Sequence, residues 1–249
     1  MGVKGGPQGR TADGRKERWR SHRAARREEF IDAALRALTK YGPELRVDKV
    51  AAEAGVSKPV LYRQFSGKTD LLEALHERAT ALLIERLVPA FDSSLAPVAQ
   101  VRGAVDAFFS VLDEHPNLYW LVSRTIPSGP SREGTGVRRG KALAATTLTQ
   151  LFDEYLHAFG LDTRGAEPMA QVIVGMVHHT AEWWLESKSM TREEAVGFLT
   201  PVVWSAIDGF LAQQGVRIDP DVPVSPDDIL SGLQRRPTFR PPRAAHEES

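Results

Sequence analysis

The segment at residues 47–65, VDKVAAEAGVSKPVLYRQF, constrains the fold more than any other part of the 249-residue chain. Gly55 supplies the left-handed backbone conformation that a tight turn between two helices needs. Ser57 is a favourable helix N-cap, and Pro59 fits a first helical turn, where its missing N–H is not required. Ala51 is small enough to let the two helices approach closely. The segment therefore predicts two short helices that cross at a tight turn.

The second of these helices carries hydrogen-bonding and cationic side chains on its outer face, at Lys58, Tyr62, Arg63 and Gln64. Side chains of these types contact the phosphates and base edges of nucleic acids. Packing of a helical hairpin does not by itself require cationic residues on one exposed side. The outer face therefore favours nucleic-acid binding.

Charge is divided unevenly along a chain whose formal net charge is zero. Residues 1–70 contain 16 lysines and arginines against 9 acidic residues, and residues 71–249 contain 16 against 23. A basic module joined to an acidic body is typical of proteins that bind nucleic acid. The chain has no cysteine, no apolar stretch of roughly 20 residues and no secretory signal, so we expect a cytoplasmic protein that does not bind membranes.

Apolar residues recur at helical spacing along most of the chain, with no alternating pattern of the kind that strands show. The first helix is predicted from Ser21 to Gly42-Pro43, a pair that ends helices. Longer helical stretches are predicted at 68–87, 101–112, 118–126, 137–159, 168–187 and 193–214. Residues 127–136 are predicted to be a loop. The expected fold is all-α, with a small N-terminal helical module and a larger bundle.

With its flanks, the segment resembles the tetracycline-repressor (TetR) family of bacterial regulators. The resemblance extends from Arg27 to about Leu75 and is most specific in AGVSKPVLYRQFSGK. It implies a three-helix DNA-binding head with a helix-turn-helix, and a larger C-terminal bundle for ligand binding and dimerisation. The expected protein is a homodimeric, ligand-responsive regulator, a repressor that binds an inverted-repeat operator. The expected domains are a disordered basic arm (1–20), the head (21–67), the regulatory bundle (68–215) and a proline-rich tail (216–249).

The resemblance also implies roles for residues in the head. Lys58, Tyr62 and Lys68 are expected to contact phosphates, and Gln64 with Arg63 to approach base edges. The full expected DNA-binding set is Arg46, Ser57, Lys58, Pro59, Tyr62, Arg63, Gln64 and Lys68. Two positions depart from the family: Arg46 replaces a Thr or Ser that caps the second helix, and Gln64 replaces a common His. The arm, with Arg15, Lys16, Arg18, Arg20 and Arg23, is expected either to contact DNA or to be a solvated tail.

The last two long helices, at 168–187 and 193–214, are apolar on more than one face, which predicts that each is covered on several sides. One side would pack within the subunit and the other against a second copy. Aromatic and methionine side chains in the bundle predict either core packing or a pocket for a small apolar or amphipathic effector. The candidate pocket residues are Phe108, Phe109, Leu112, Tyr119, Trp120, Phe152, Tyr155, Met176, His179 and Trp183.

Two other functions fit parts of the sequence. A sequence-independent DNA-binding protein would have the same basic head. A di-iron helical enzyme is suggested by Glu73-x-x-His76 and Glu154-x-x-His157, with Glu85 and Glu182 as further ligands. No cysteine, G-x-S-x-G elbow or glycine-rich phosphate loop is present, so we expect no catalytic residue, no cofactor and no enzyme activity.

Overall fold

The computed structural model describes residues 10–124, 136–158 and 160–224. These residues form helices and connecting turns, and none of them lies in a strand, which confirms the all-α prediction. The α-helices are, in chain order, α1 (Arg10–Tyr41), α2 (Val47–Glu53), α3 (Lys58–Tyr62), α4 (Lys68–Leu87), α5 (Pro97–Glu114), α6 (Pro116–Arg124), α7 (Gly136–Ala158), α8 (Ala166–Ser187) and α9 (Arg192–Gln213). Short 3-10 helices follow α4 at Val88–Phe91 and precede α8 at Thr163–Gly165.

The first helix begins at Arg10, earlier than the predicted start at Ser21. Residues 10–20, for which a low apolar content predicts disorder, are thus helical, and the structure corrects the prediction there. Arginine, lysine, glutamate and alanine all have high helix propensity, and a helix that is already nucleated extends at little cost. Residues 1–9 of the expected arm lie outside the described residues.

The chain divides into two compact units, of which the first comprises Met1–Glu85 and Val111–Gly140. Its core joins side chains of α1 to α4 and α6, among them the fully buried Phe30, Leu61, Phe65, Leu71 and Leu75. Leu118 and Leu121 of α6 complete this core. The unit that contains α2 and α3 therefore extends beyond residues 21–67, because α4 and α6 bury their apolar residues in the same core.

The second unit comprises Arg86–Ser110 and Lys141–Ser249. Its two longest packed helices are α8 and α9, and α9 begins with a capping box. The amide of Glu194 donates to Thr191 Oγ1 at 3.2 Å, and the amide of Thr191 donates to Glu194 Oε2 at 2.7 Å. These reciprocal bonds satisfy two amides that the helix itself cannot.

Two predicted connections lie largely outside the described residues. Only Gly136 of the expected loop at 127–136 is described, and it begins α7. The proline-rich tail is described as far as Val224. The carbonyl of Pro220 in this tail accepts a hydrogen bond from the amide of Val98 at 3.1 Å. That bond attaches the start of the tail to the first turn of α5.

Candidate DNA-binding site and effector-binding body

The turn between α2 and α3 has the geometry that its sequence predicts. Gly55 has a φ of +66°, the left-handed conformation that favours glycine. The amide of Val56 donates to the carbonyl of Ala51 at 2.9 Å, which closes the turn. Pro59 lies in the first turn of α3. Ser57 occupies the N-cap with extended backbone, but its side chain makes no capping hydrogen bond, so the predicted cap is present in position only.

The side chains of α3 and of the residues that flank it include a buried set and an exposed set, and Val60 is half-buried between them. Leu61 and Phe65 are almost fully buried in the core of the first unit. The exposed set contains Ser57, Lys58, Pro59, Tyr62 and Arg63, together with Lys68 at the start of α4. Tyr62 keeps 45% of its surface exposed, so its ring and hydroxyl are accessible from solvent. Six of the eight predicted DNA-binding residues therefore lie on the solvent side of one short helix and its flanks.

Arg46 is also exposed and precedes α2, where it makes no side-chain cap. Its guanidinium lies 3.4 Å from Asp48 Oδ2, an ion pair open to solvent. Such a pair contributes little to stability. The Arg46 side chain is therefore exposed and bound only by this weak pair within the described residues, and its contact with a phosphate stays a prediction.

Gln64 differs from its neighbours because its side chain is half-buried. Its Oε1 is enclosed and accepts no hydrogen bond within the described part of the chain. Gln64 lines an open surface pocket of about 340 Å³ with Arg23, Ala24 and Arg27 of α1. In this conformation Gln64 points toward α1, so a contact with a base edge requires its side chain to turn outward.

Arg27 of α1 contacts both the residues that follow α3 and the first turn of α4. Its guanidinium donates to Asp70 Oδ1 at 2.6 Å and to the carbonyl of Gln64 at 3.1 Å. It also lies 4.4 Å from the ring centre of Phe65, in cation–π range. The hydrogen bond from Arg27, and next the one from the amide of Ser66, hold the pKa of Asp70 below its usual value. We name these contacts of Arg27 and Asp70 the Arg27 clamp.

The predicted pocket residues of the bundle lie in different environments. Phe108, Phe109, Leu112 and Tyr119 are buried, whereas Trp120, Phe152 and Met176 are half-buried. Tyr155, His179 and Trp183 are exposed. The structure brings together Phe108 with Phe109 and Tyr119 with Trp120, each pair edge to face. Leu112, Tyr119 and Trp120 belong to the first unit and the other seven residues to the second, so the set is divided between the units.

The inward face of α8 carries two side chains that the pocket prediction missed, His178 and Trp184. The ring of His178 lies 4.5 Å from that of Phe108, and the ring of Trp184 lies 5.2 Å from that of Phe109. Trp184 Nε1 donates to the carbonyl of Met190 at 2.9 Å. The signal was available in the sequence, because His178 is in helical register with the small residues Ala170 and Ala181. The predicted residues His179 and Trp183 are each one position out of that register.

The four glutamates proposed for a di-iron site do not support one. Glu73, Glu85 and Glu154 are exposed, and Glu182 pairs with Lys141 at 3.5 Å. Among the described residues no three histidine, aspartate, glutamate or cysteine side chains are grouped closely enough to hold a metal ion.

Two family models match the chain. Residues 30–75 match the model described as "Bacterial regulatory proteins, tetR family". Residues 86–219 match "Tetracyclin repressor-like, C-terminal domain". The first match covers α2, α3 and their core, and the second extends from the end of α4 beyond α9.

Similar proteins are bacterial transcriptional regulators. The chain is 31% identical over 204 residues to the uncharacterized HTH-type transcriptional regulator Rv0472c of Mycobacterium tuberculosis, a match that covers 82% of this chain and 86% of that one. It is 26% identical to the HTH-type transcriptional activator FasR of Mycolicibacterium smegmatis, over 80% and 90% of the two chains. Its fold is similar to that of FadR of Bacillus subtilis in complex with stearoyl-CoA, with a TM-score of 0.57, 22% identity and coverage of 73% and 98%.

Proposed function

Since the chain belongs to the TetR family of bacterial transcriptional regulators, we propose that it is a repressor that binds an inverted-repeat operator as a homodimer. In this proposal a small, largely apolar effector releases the operator. DNA binding resides in residues 21–67, regulation and dimerisation in 68–215, and the protein acts in the cytoplasm. The arm at 1–20 and the tail at 216–249 flank these domains.

The observation that carries the proposal is the exposed face of α3. Its core residues Leu61 and Phe65 fix the helix, while Lys58, Tyr62 and Arg63 point to solvent. Lys58, Tyr62 and Lys68 would position the helix through phosphates, and Arg63 would donate to a base edge in the major groove. Gln64 would join Arg63 only after leaving its half-buried position.

A second copy of the chain would cover the outer faces of α8 and α9. These faces expose the large apolar side chains Val172, Trp183, Phe198 and Val202. Of the described helices, α9 alone has the length and apolar composition of a membrane span, yet only 28% of that span is buried. A helix covered by its own subunit on one side and by a partner on the other has the same composition. Two-fold symmetry would then set two α3 helices about 34 to 36 Å apart, one turn of DNA.

An apolar effector is supported by the aromatic residues of the second unit, Phe108 and Phe109 foremost, and by the stearoyl-CoA bound to FadR of Bacillus subtilis. The effector acts by binding one conformation of the dimer more tightly than another, so its differential affinity sets the extent of release. We propose repression, with release of the operator when the effector binds, although the similar protein FasR is named an activator.

Selection of bound sequences from a random duplex pool, near physiological salt, tests this function. We expect an enriched inverted repeat that is lost in the variants Tyr62→Ala and Lys68→Ala. The matched control is Arg102→Ala, which removes an exposed cation from α5 and should leave the enrichment unchanged. Equal binding of all duplexes by the folded dimer would instead indicate sequence-independent DNA binding.

A further inference from the structure

One buried polar atom of the second unit, Nδ1 of His178, has no hydrogen-bond partner among the described residues. His178 on α8 is 9% exposed, and its Nδ1 is buried without a donor or acceptor within the described part of the chain. Buried polar atoms in proteins nearly always have a partner, and an orphaned one destabilises the fold. An orphaned atom of this kind therefore points to a partner outside the described residues.

The surroundings of His178 combine an apolar wall with an ion pair. Phe108 packs against the imidazole, with ring centres 4.5 Å apart. Glu182 follows His178 by one helical turn and lies 3.5 Å from Lys141 Nζ of α7. Both members of this pair are about one-third exposed, at 34% each, so the pair is accessible from solvent.

The distance within the ion pair is long for opposite charges. Charge-assisted N–H···O bonds in proteins measure about 2.7 to 2.9 Å, whereas Lys141 and Glu182 stand 3.5 Å apart. Lys141 thus keeps donor capacity that another anion could use. The ammonium of Lys141 has three N–H donors, so it can donate to a ligand oxygen without releasing Glu182.

The imidazole of His178 is suited to donate to such an oxygen. Burial first, and the nearby Lys141 charge second, lower the pKa of His178 to about 4, so the ring is neutral at pH 7. A neutral imidazole carries one N–H, and the tautomer with its proton on Nδ1 offers a donor where the partner is missing. The charge of Lys141 contributes to this lowering of the pKa, and that of Glu182 opposes it.

We propose that His178 and Lys141 form the polar end of the effector site, and that the effector carries a carboxylate on an apolar body. His178 Nδ1–H and Lys141 Nζ hold the carboxylate oxygens, and the apolar body lies along Phe108. The identity of the effector as a regulator of DNA binding rests on the proposed function; the carboxylate preference rests on these three residues.

Three probes that share one alkyl chain separate the head groups: octanoate, octanol and octylamine. Their affinities for the full-length protein are measured by calorimetry at pH 7, below the concentrations at which they aggregate. We expect octanoate to bind about tenfold more tightly than the other two, the difference that one charge-assisted bond provides. In His178→Leu the preference should fall below about threefold, while the neighbouring exposed variant His179→Leu should keep it.

A direct readout on the unaltered protein keeps the test decisive if His178→Leu fails to fold. In ¹⁵N-histidine spectra, octanoate should shift the Nδ1 resonance of His178 and leave that of His179 in place. Lys141→Met should weaken octanoate binding without weakening octanol binding. The proposal is overturned by absent binding of all three probes, by equal affinities, by a preference that survives His178→Leu, or by an unshifted His178 resonance. Operator selection by the same preparation reports separately on the proposed function, because it uses no probe.

Discussion

The Arg27 clamp predicts that two residues remote from the exposed face of α3 control its position. The variant Asp70→Asn keeps the size of the side chain but removes the charge that Arg27 contacts at 2.6 Å. Arg27→Gln removes the other partner, along with the donor to the carbonyl of Gln64. We expect each single variant to loosen the segment between α3 and α4, and the double variant to cost less than the sum of the two.

The size of the coupling free energy between Arg27 and Asp70 follows from the burial of the two side chains. A hydrogen bond between charged groups contributes about 1.5 to 3 kcal/mol, and an exposed ion pair about 0 to 1 kcal/mol. The side chains of Arg27 and Asp70 are 32% and 26% exposed, between these limits. We therefore expect a coupling free energy of about 1 to 2 kcal/mol, roughly a 5- to 30-fold change in local opening.

A matched control lies beside Arg27 on α1. Arg26 and Glu29 also form an arginine–carboxylate pair, at 2.7 Å, but their side chains are 42% and 60% exposed. A double-mutant cycle on this pair should give no more than about 0.5 kcal/mol. The two cycles differ in burial and hardly in distance, so their comparison isolates the effect of burial.

Native-state hydrogen exchange of the amides around Ser66 measures both cycles within the first unit, and operator affinity measures the consequence for binding. Because the folded pKa of Asp70 is lowered, its contribution is complete above the ordinary value of 3.8. It is lost only as pH falls through the lowered folded value, so the coupling should be constant near neutral pH. A coupling free energy between Arg27 and Asp70 below about 0.3 kcal/mol would refute the reasoning. Mutations at independent sites deviate from additivity by about that much.

Two further variants test packing and assembly. Gly165→Ala should destabilise the second unit by about 1 to 2 kcal/mol in thermal unfolding, because its Cβ would overlap the ring of Phe210. Gly140→Ala, where an added Cβ meets nothing within 4 Å, should not destabilise the protein. Phe198→Glu should shift the dimer toward monomer in sedimentation, since it charges the outer face of α9. Val88→Glu, at a side chain that is likewise 66% exposed, should leave the oligomeric state unchanged, and the opposite result would place the interface elsewhere.

The helix-turn-helix could be predicted from sequence because each of its positions has a local reason. Gly55 is required by a positive φ, and Pro59 is tolerated only in a first turn. These constraints act within a few residues and do not depend on the rest of the fold. The start of α1 was not predictable in the same way, since residues 10–20 lack the apolar periodicity by which helices are recognised.

The inward face of α8 was harder to predict because the helix is apolar on several sides. When apolar residues surround a helix, periodicity no longer marks one face, and neighbours such as His178 and His179 cannot be told apart by it. Small residues mark the register better here: Ala170 and Ala181 are fully buried, and His178 lies in line with them. In such a helix the alanines therefore indicate which polar side chain is buried better than the aromatic residues do.

Gln64 shows the limit that tertiary contacts place on predictions from residue type. Its position in the recognition segment and its amide group predict a base contact, and both arguments are local. Its orientation depends on Arg27, which lies 37 residues earlier and holds the carbonyl of Gln64. The enclosed Oε1 has no hydrogen-bond partner within the described chain, so turning outward would cost no bond there. Gln64 is thus able to gain a partner on DNA, while Arg63, already exposed, can donate without rearrangement. Base preference at the operator should accordingly depend on Arg63 more than on Gln64.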